Sequence, residues 1–150
     1  MHLPGRKIFL LSLPLSLAVV ISCRDSSGPA TVSARFELND IDGRALPTPP
    51  AFTPGLTPTI LSSTITLDEA GNAAVTVHRT EWDGRDVTST TNYTYKITDS
   101  RIEFAYSPPC PPNANCVLPP KGTLFLGRLS LEMGHVNSDP ILYNYRLAND

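Results

Sequence analysis

The segment from Asn92 to Tyr106 constrains the fold more than any other. Tyr93, Tyr95 and Ile97 alternate with Thr94, Lys96 and Thr98; Asp99-Ser100 follows; then Ile102, Phe104 and Tyr106 alternate with Arg101, Glu103 and Ala105. A side-chain period of two puts each set on one face of an extended strand. Asp-Ser between two such runs supplies the chemistry of a tight turn. The segment therefore predicts an antiparallel hairpin with one apolar face. No window of the chain sustains the 3.6-residue period of an amphipathic helix.

The same alternation recurs along the chain. Thr31 to Leu38 sets Val32, Ala34, Phe36 and Leu38 against Ser33, Arg35 and Glu37, and Asp42-Gly43 marks a turn beyond it. Ile60 to Leu67 places Leu61, Ile65 and Leu67 on one side, interrupted by Ser63. After a turn at Asp68–Asn72, the run from Ala73 to Trp82 points Val75 and Val77 inward. Arg79 and Glu81 share the parity of Val77, so they sit at the mouth of a barrel or a bulge shifts the register. Asp83-Gly84 makes another turn. Gly122–Leu126, Arg128–Met133 and Ile141–Leu147 are the last three strands, with Gly134-His135 and Asn137–Pro140 turning the chain between the final two. Pro47, Pro49, Pro50, Pro54 and Pro58 make residues 47–58 a loop, because proline cannot donate to a strand ladder. Its Pro47-x-x-Pro50 spacing has the form of a polyproline ligand, but a plain loop accounts for it.

Together these segments predict an all-β domain of about eight short strands. Sequential hairpins favour an antiparallel up-and-down β-barrel; a β-sandwich is the alternative.

The amino-terminal region has a different character. Arg6 and Lys7 precede the apolar run Ile8–Ile21, which ends in Val20-Ile21-Ser22-Cys23. Fourteen residues containing Pro14 are too short for a spanning helix, which needs about 20. This arrangement resembles a bacterial lipoprotein signal peptide, with its apolar–variable–small–Cys box before the cut. The resemblance covers the first 23 residues. It implies export, removal of residues 1–22, acyl chains on Cys23 and membrane attachment through them. Arg24 stands where an Asp would hold such a protein at the inner membrane, which implies the outer membrane, with the domain facing the periplasm or the cell surface. Residues 23–30 then form a short lipidated tether and residues 31–150 the barrel domain.

Charge narrows the partners. Arg6 and Lys7 leave with the signal, so ten basic and fourteen acidic side chains remain on 128 residues, a net charge of −4. There is no basic stripe, which argues against nucleic acid. The mild acidity also argues against electrostatic docking of the whole domain to anionic lipid, leaving the acyl chains to hold it.

Two cysteines stay on the domain, Cys110 and Cys116, in a proline-rich stretch. An exported chain meets an oxidising compartment, and five intervening residues allow the chain to turn back on itself. A disulfide is expected, rather than zinc, for which only His78 and His135 could join the cysteines.

Nothing assembles a catalytic centre. A nucleophile needs a neighbouring base; His78 falls on the outward parity with Thr76 and Thr80, and His135 falls in a turn. There is no Gly-x-Ser-x-Gly elbow and no glycine-rich phosphate cradle. Asn39-Asp-Ile-Asp-Gly43 has a faint calcium-loop look, but its frame puts Leu38 and Pro49 where oxygen ligands belong. Glu81, Asp83 and Asp86 around Trp82 could serve sugar chemistry, although turn residues with a capping tryptophan explain them as well. Asn92-Tyr-Thr94 matches a glycosylation acceptor that a bacterial lipoprotein would not normally use.

The strand layout is similar to lipocalin-like and other small bacterial lipoprotein barrels. Lipocalins carry Gly-x-Trp on the first strand, whereas Trp82 lies far downstream, so no residue of their ligand site carries over. The expected function is non-catalytic and without a cofactor: a lipid-anchored barrel for structural or envelope-protein contact. A carrier of a small apolar ligand is the alternative, with a hydrolase behind it. The large inward side chains Phe36, Tyr93, Tyr95, Phe104, Tyr106, Tyr143 and Tyr145 would fill much of a small barrel.

Overall fold

The computed structural model describes residues 30–49, 58–114, 116–133 and 140–149. The signal segment, Cys23, most of the tether, Pro50, Pro54, His135 and the Asn137–Asp139 turn lie outside the described residues. Among those described there is no helix. Nine strands run β1 (Ala34–Ile41), β2 (Arg44–Ala45), β3 (Thr59–Leu67), β4 (Asn72–Thr80), β5 (Asp86–Thr98), β6 (Arg101–Tyr106), β7 (Lys121–Phe125), β8 (Arg128–Met133) and β9 (Ile141–Leu147).

Every pairing is antiparallel, in the order β2-β1-β3-β4-β5-β6-β7-β8-β9, and β9 returns to pair with β1. That last pairing closes an eight-stranded barrel, with β2 as an extra two-residue strand folded back on β1. Closure removes the exposed edges that a sandwich would leave, and it decides between the two expected architectures. The Asn92–Tyr106 hairpin forms as read, with Tyr95 opposite Phe104 and Ile97 opposite Ile102.

Burial follows the period of two on most strands. Phe36, Leu38, Ile65, Leu67, Ala73, Val75, Tyr93, Tyr95, Ile97, Ile102, Phe104, Leu129, Leu131, Tyr143 and Tyr145 form one continuous core inside the barrel. Eight strands enclose a bore that side chains can fill, and here they do. Gly122 marks the tightest approach: a Cβ there would overlap the carbonyl oxygen of Ser130 on β8.

Two bulges depart from simple parity. The β1–β9 register slips between Leu38 and Asp40, which carries β1 on to Ile41 and turns that side chain fully inward. The β3–β4 register slips between Ile60 and Ser62. Leu61 was expected on the inner face; the slip buries Ile60 instead and leaves Leu61 half-buried. From Asn72 opposite Thr94 at one end to Thr80 opposite Asp86 at the other, β4 pairs with β5 without any slip. Arg79 and Glu81 thus stand at the mouth of the barrel, beside the β3 slip, which lies opposite Arg79 and His78. Trp82 does not end β4, which stops at Thr80; it stands 78% exposed in the following turn.

The two barrel ends differ. One carries the tight turns at 68–71, 99–100 and 126–127, together with the start of β1 and the end of β9. The other carries the turn at 81–85 and the long connection from Ser107 to Pro120.

Candidate functional site

Ligand recognition by a barrel takes place in its bore or at its mouth, so these are built here from their residues. Ser63 interrupts the apolar face of β3 because it has a specific partner. Its hydroxyl lies 3.1 Å from the Tyr145 hydroxyl on β9, with β1 running between the two strands. Both residues are buried, Ser63 at 3% exposure and Tyr145 at 1%. Burial drives the Tyr145 phenol well above its ordinary range, only partly offset by the Ser63 bond.

Tyr95 serves the tight-turn end of the bore. Its hydroxyl accepts from the Val32 N–H at 2.9 Å and is placed to donate to the carbonyl of Val32 (2.8 Å) or Asp68 (2.7 Å). It thus pins the segment before β1 across that end. The Ala30 N–H donating to Ile97 O extends the same attachment.

At the loop end the bore becomes polar. Arg79 Nε donates to Glu81 Oε1 at 2.8 Å, and an Arg79 terminal nitrogen donates to Ser89 at 3.0 Å. Further along β5, Tyr93 packs against Tyr106, ring centroids 5.1 Å apart. Burial, and then the neighbouring Tyr106, pushes the Tyr93 phenol up to about 12; burial, and then Asp42, does the same for Tyr143. Among the described residues, every buried side-chain nitrogen and oxygen has a hydrogen-bond partner.

The Asn39–Gly43 segment is the barrel seam. The Asp40 carboxylate accepts from Asn144 Nδ2 (2.7 Å), Asn39 Nδ2 (2.8 Å) and the Gly43 N–H (3.0 Å). Burial pushes its carboxyl up, but these donors and the charge of Arg146 prevail and hold it below the ordinary carboxylate range. The Asp42 carboxylate accepts from the Leu142 N–H at 2.8 Å, and the Asp42 N–H donates to Leu142 O. These oxygens clip β1 to β9, which a calcium loop would not do.

The acidic cluster around Trp82 divides in the same way. Glu81 pairs with Arg79, Asp83 pairs with Arg85, and Asp86 accepts from the Thr80 hydroxyl at 2.6 Å. Three carboxylates with three separate partners form no acid–base pair. His78 is half-buried on β4, opposite Thr88 and Ser62, on the outward parity expected of it. No cluster of three His, Cys, Asp or Glu side chains among the described residues could hold a metal ion.

Cys110 and Cys116 are joined by a disulfide, with Cα atoms 6.3 Å apart. The bond closes a turn in the β6–β7 connection. Tyr106 ties that connection down by donating to Val117 O at 3.0 Å, and the Phe104 N–H donates to Pro120 O.

What the sequence reading did not see is the use of tyrosine hydroxyls as fasteners. The available signal was tyrosine in place of phenylalanine at inward positions, since a buried phenol needs a partner. No protein-family model matches the chain, nor does any curated protein or solved structure.

Proposed function

We propose that this chain is exported, cut before Cys23 and acylated there, and that it works from the envelope, on the outer membrane, as a non-catalytic barrel making structural or protein contacts. The filled bore carries the reading. Core side chains from eight strands occupy the interior, and the polar groups at its mouth are already engaged with one another. A ligand site keeps a concave space and a few convergent polar groups for its guest; among the described residues of the bore, core side chains take the space and every buried polar side-chain atom has a partner. Recognition is left to the outer surface. The loop end, opposite the tether, exposes Trp82, a residue type that often anchors protein contacts, together with Val117 and Leu118.

Two measurements test this. Labelled fatty acid should enter the parent and not Cys23→Ala; label retained by Cys23→Ala refutes the anchor. Native mass spectrometry of protein extracted from its own envelope should give the acylated mass, alone or with a protein partner. A retained small apolar molecule would replace the contact reading with that of a carrier.

A further inference from the structure

The turn joining β7 to β8 is built unlike its counterpart at the barrel seam. Asp42-Gly43 and Leu126-Gly127 both place two successive residues at positive φ, 51° and 74° in the first, 47° and 72° in the second. Aspartate tolerates that left-handed region because its short carboxylate bonds locally; leucine gains nothing from it. Yet Leu126 occupies the position, 85% exposed, beside Phe125 at 66%. Leu147 of β9 is exposed too and packs against Gly127, its N–H donating to Gly127 O. An aliphatic and an aromatic side chain are thus held in water on a strained, rigid tip.

The tip has a definite place. The Leu124 N–H donates to Ser100 O, so Phe125 and Leu126 project beyond the neighbouring β5–β6 turn. Ala30, where the described chain begins, is bridged to Ile97 just before that same turn. Seven residues separate Ala30 from Cys23 and span at most about 25 Å. β5 and β7 stand two strand spacings apart, about 10 Å. An acylated Cys23 and the apolar tip can therefore reach one plane together.

The charge behind the tip fits the same plane. Phe125 is opposite Arg128, and Arg128 is opposite Arg146 on β9. Like charges directly across a ladder repel, and a phosphate set between them relieves it. Glu37, opposite Arg146 on its other side, Asp40, which lines one hollow with both arginines and feels the charge of Arg146, and Asp99 in the β5–β6 turn are nearby acids. The domain as a whole is mildly acidic, so this local pairing and not its net charge would meet a lipid headgroup.

The geometry points to the β7–β8 tip as a membrane-docking wedge: Phe125 and Leu126 enter the headgroup–acyl boundary of the bilayer that holds the acyl chains, and Arg128 and Arg146 meet lipid phosphate. The inference rests on the anchored reading above. It fixes the barrel's pose, with the β7–β8 tip down and Trp82 and the disulfide loop away from the membrane.

Brominated-lipid quenching reads this directly. Acylated protein purified from its envelope is placed in phosphatidylethanolamine–phosphatidylglycerol vesicles carrying bromine on the acyl chains. The parent reports through Trp82, its sole tryptophan, and should keep its emission. Trp82→Phe combined with Leu126→Trp, or with Phe125→Trp should the turn resist the first change, should lose most of its emission. Tip tryptophans quenched no more than Trp82 overturn the docking while leaving the anchor intact. A tip unquenched by bromine but shielded from aqueous iodide means that protein covers it, and overturns the docking as well. A mass without acyl groups on Cys23 overturns the anchor, and the docking with it.

Discussion

Tyr145→Phe and Ser63→Ala, made singly and together, test whether the polar atoms of the bore hold the barrel together. The two hydroxyls lie 3.1 Å apart, and each is the other's sole side-chain partner among the described residues. Removing one leaves the other buried and unpaired, at a cost of about 1–3 kcal/mol. Removing both eliminates donor and acceptor together, and such a pair can be nearly neutral. The double variant should therefore lie within about 1 kcal/mol of the parent, and the cycle should return a coupling close to the sum of the two single losses, about 1–6 kcal/mol. In a domain of this size each kcal/mol moves Tm by roughly 3–5 °C. Thermal melts followed by circular dichroism resolve such differences, and urea midpoints at constant m-value confirm them. A double variant that loses the sum of the two single losses refutes the reasoning, because the hydroxyls would then act independently.

Three further outcomes are expected. Phe104→Ala should cost about 3–5 kcal/mol in thermal or urea unfolding, as emptying a packed core position does, while His78→Ala, on the outward face of β4, should cost less than about 0.5 kcal/mol. Reduction of Cys110–Cys116 should raise amide exchange within the β6–β7 connection and leave exchange in β3, β4 and β5 unchanged, since the bond closes only a local turn. A pH series should show stability falling at both extremes. The lowered Asp40 carboxyl binds protons more readily when unfolded, so its contribution is present above about pH 4 and lost as pH drops through the folded value; Asp40→Asn should flatten that acid limb. The raised Tyr93 and Tyr143 phenols contribute below about pH 10 and lose that contribution as pH rises through about 12, which absorbance at 295 nm follows directly.

How far the fold was legible depends on where side-chain alternation meets the wall. β6 and β8 were readable end to end because their faces declare themselves, apolar within and mostly polar without, while in β9 the alternation holds through Tyr145 but Leu147, of the same parity, is exposed. The first half of β5 was not. From Asp86 to Asn92 the inward positions near the mouth are Val87, Ser89 and Thr91, so the polar–polar run has no contrast to read. The slips near Asn39 and Leu61 were invisible for another reason. A bulge is chosen by the curvature that closure demands, a property of all eight strands, while the local residues only permit it. β2 escaped notice because two residues carry no period.

The candidate site divides along the same line. Parity left Arg79 and Glu81 either at the mouth or beside a bulge, since a charge on an inward face must stand where the bore opens or has a partner; the structure pairs them with each other and puts a β3 slip opposite Arg79. The tyrosine fasteners needed pairing across strands distant in sequence, 82 residues apart for Ser63 and Tyr145 and 63 for Val32 and Tyr95. These long-range bonds also bear on function. A bore that recognises a guest must hold some polar groups in reserve, and unpaired groups in a dry interior cost stability until the guest arrives. Here the Ser63, Tyr145 and Tyr95 hydroxyls are committed to segments beyond their neighbouring strands, so a ligand displacing them would break bonds that close the wall. Evolutionary change could tune such a barrel most cheaply at its two ends: the loop end with Trp82 and the disulfide turn, and the opposite end with the Phe125–Leu126 tip. Both ends display large apolar side chains that folding alone does not require.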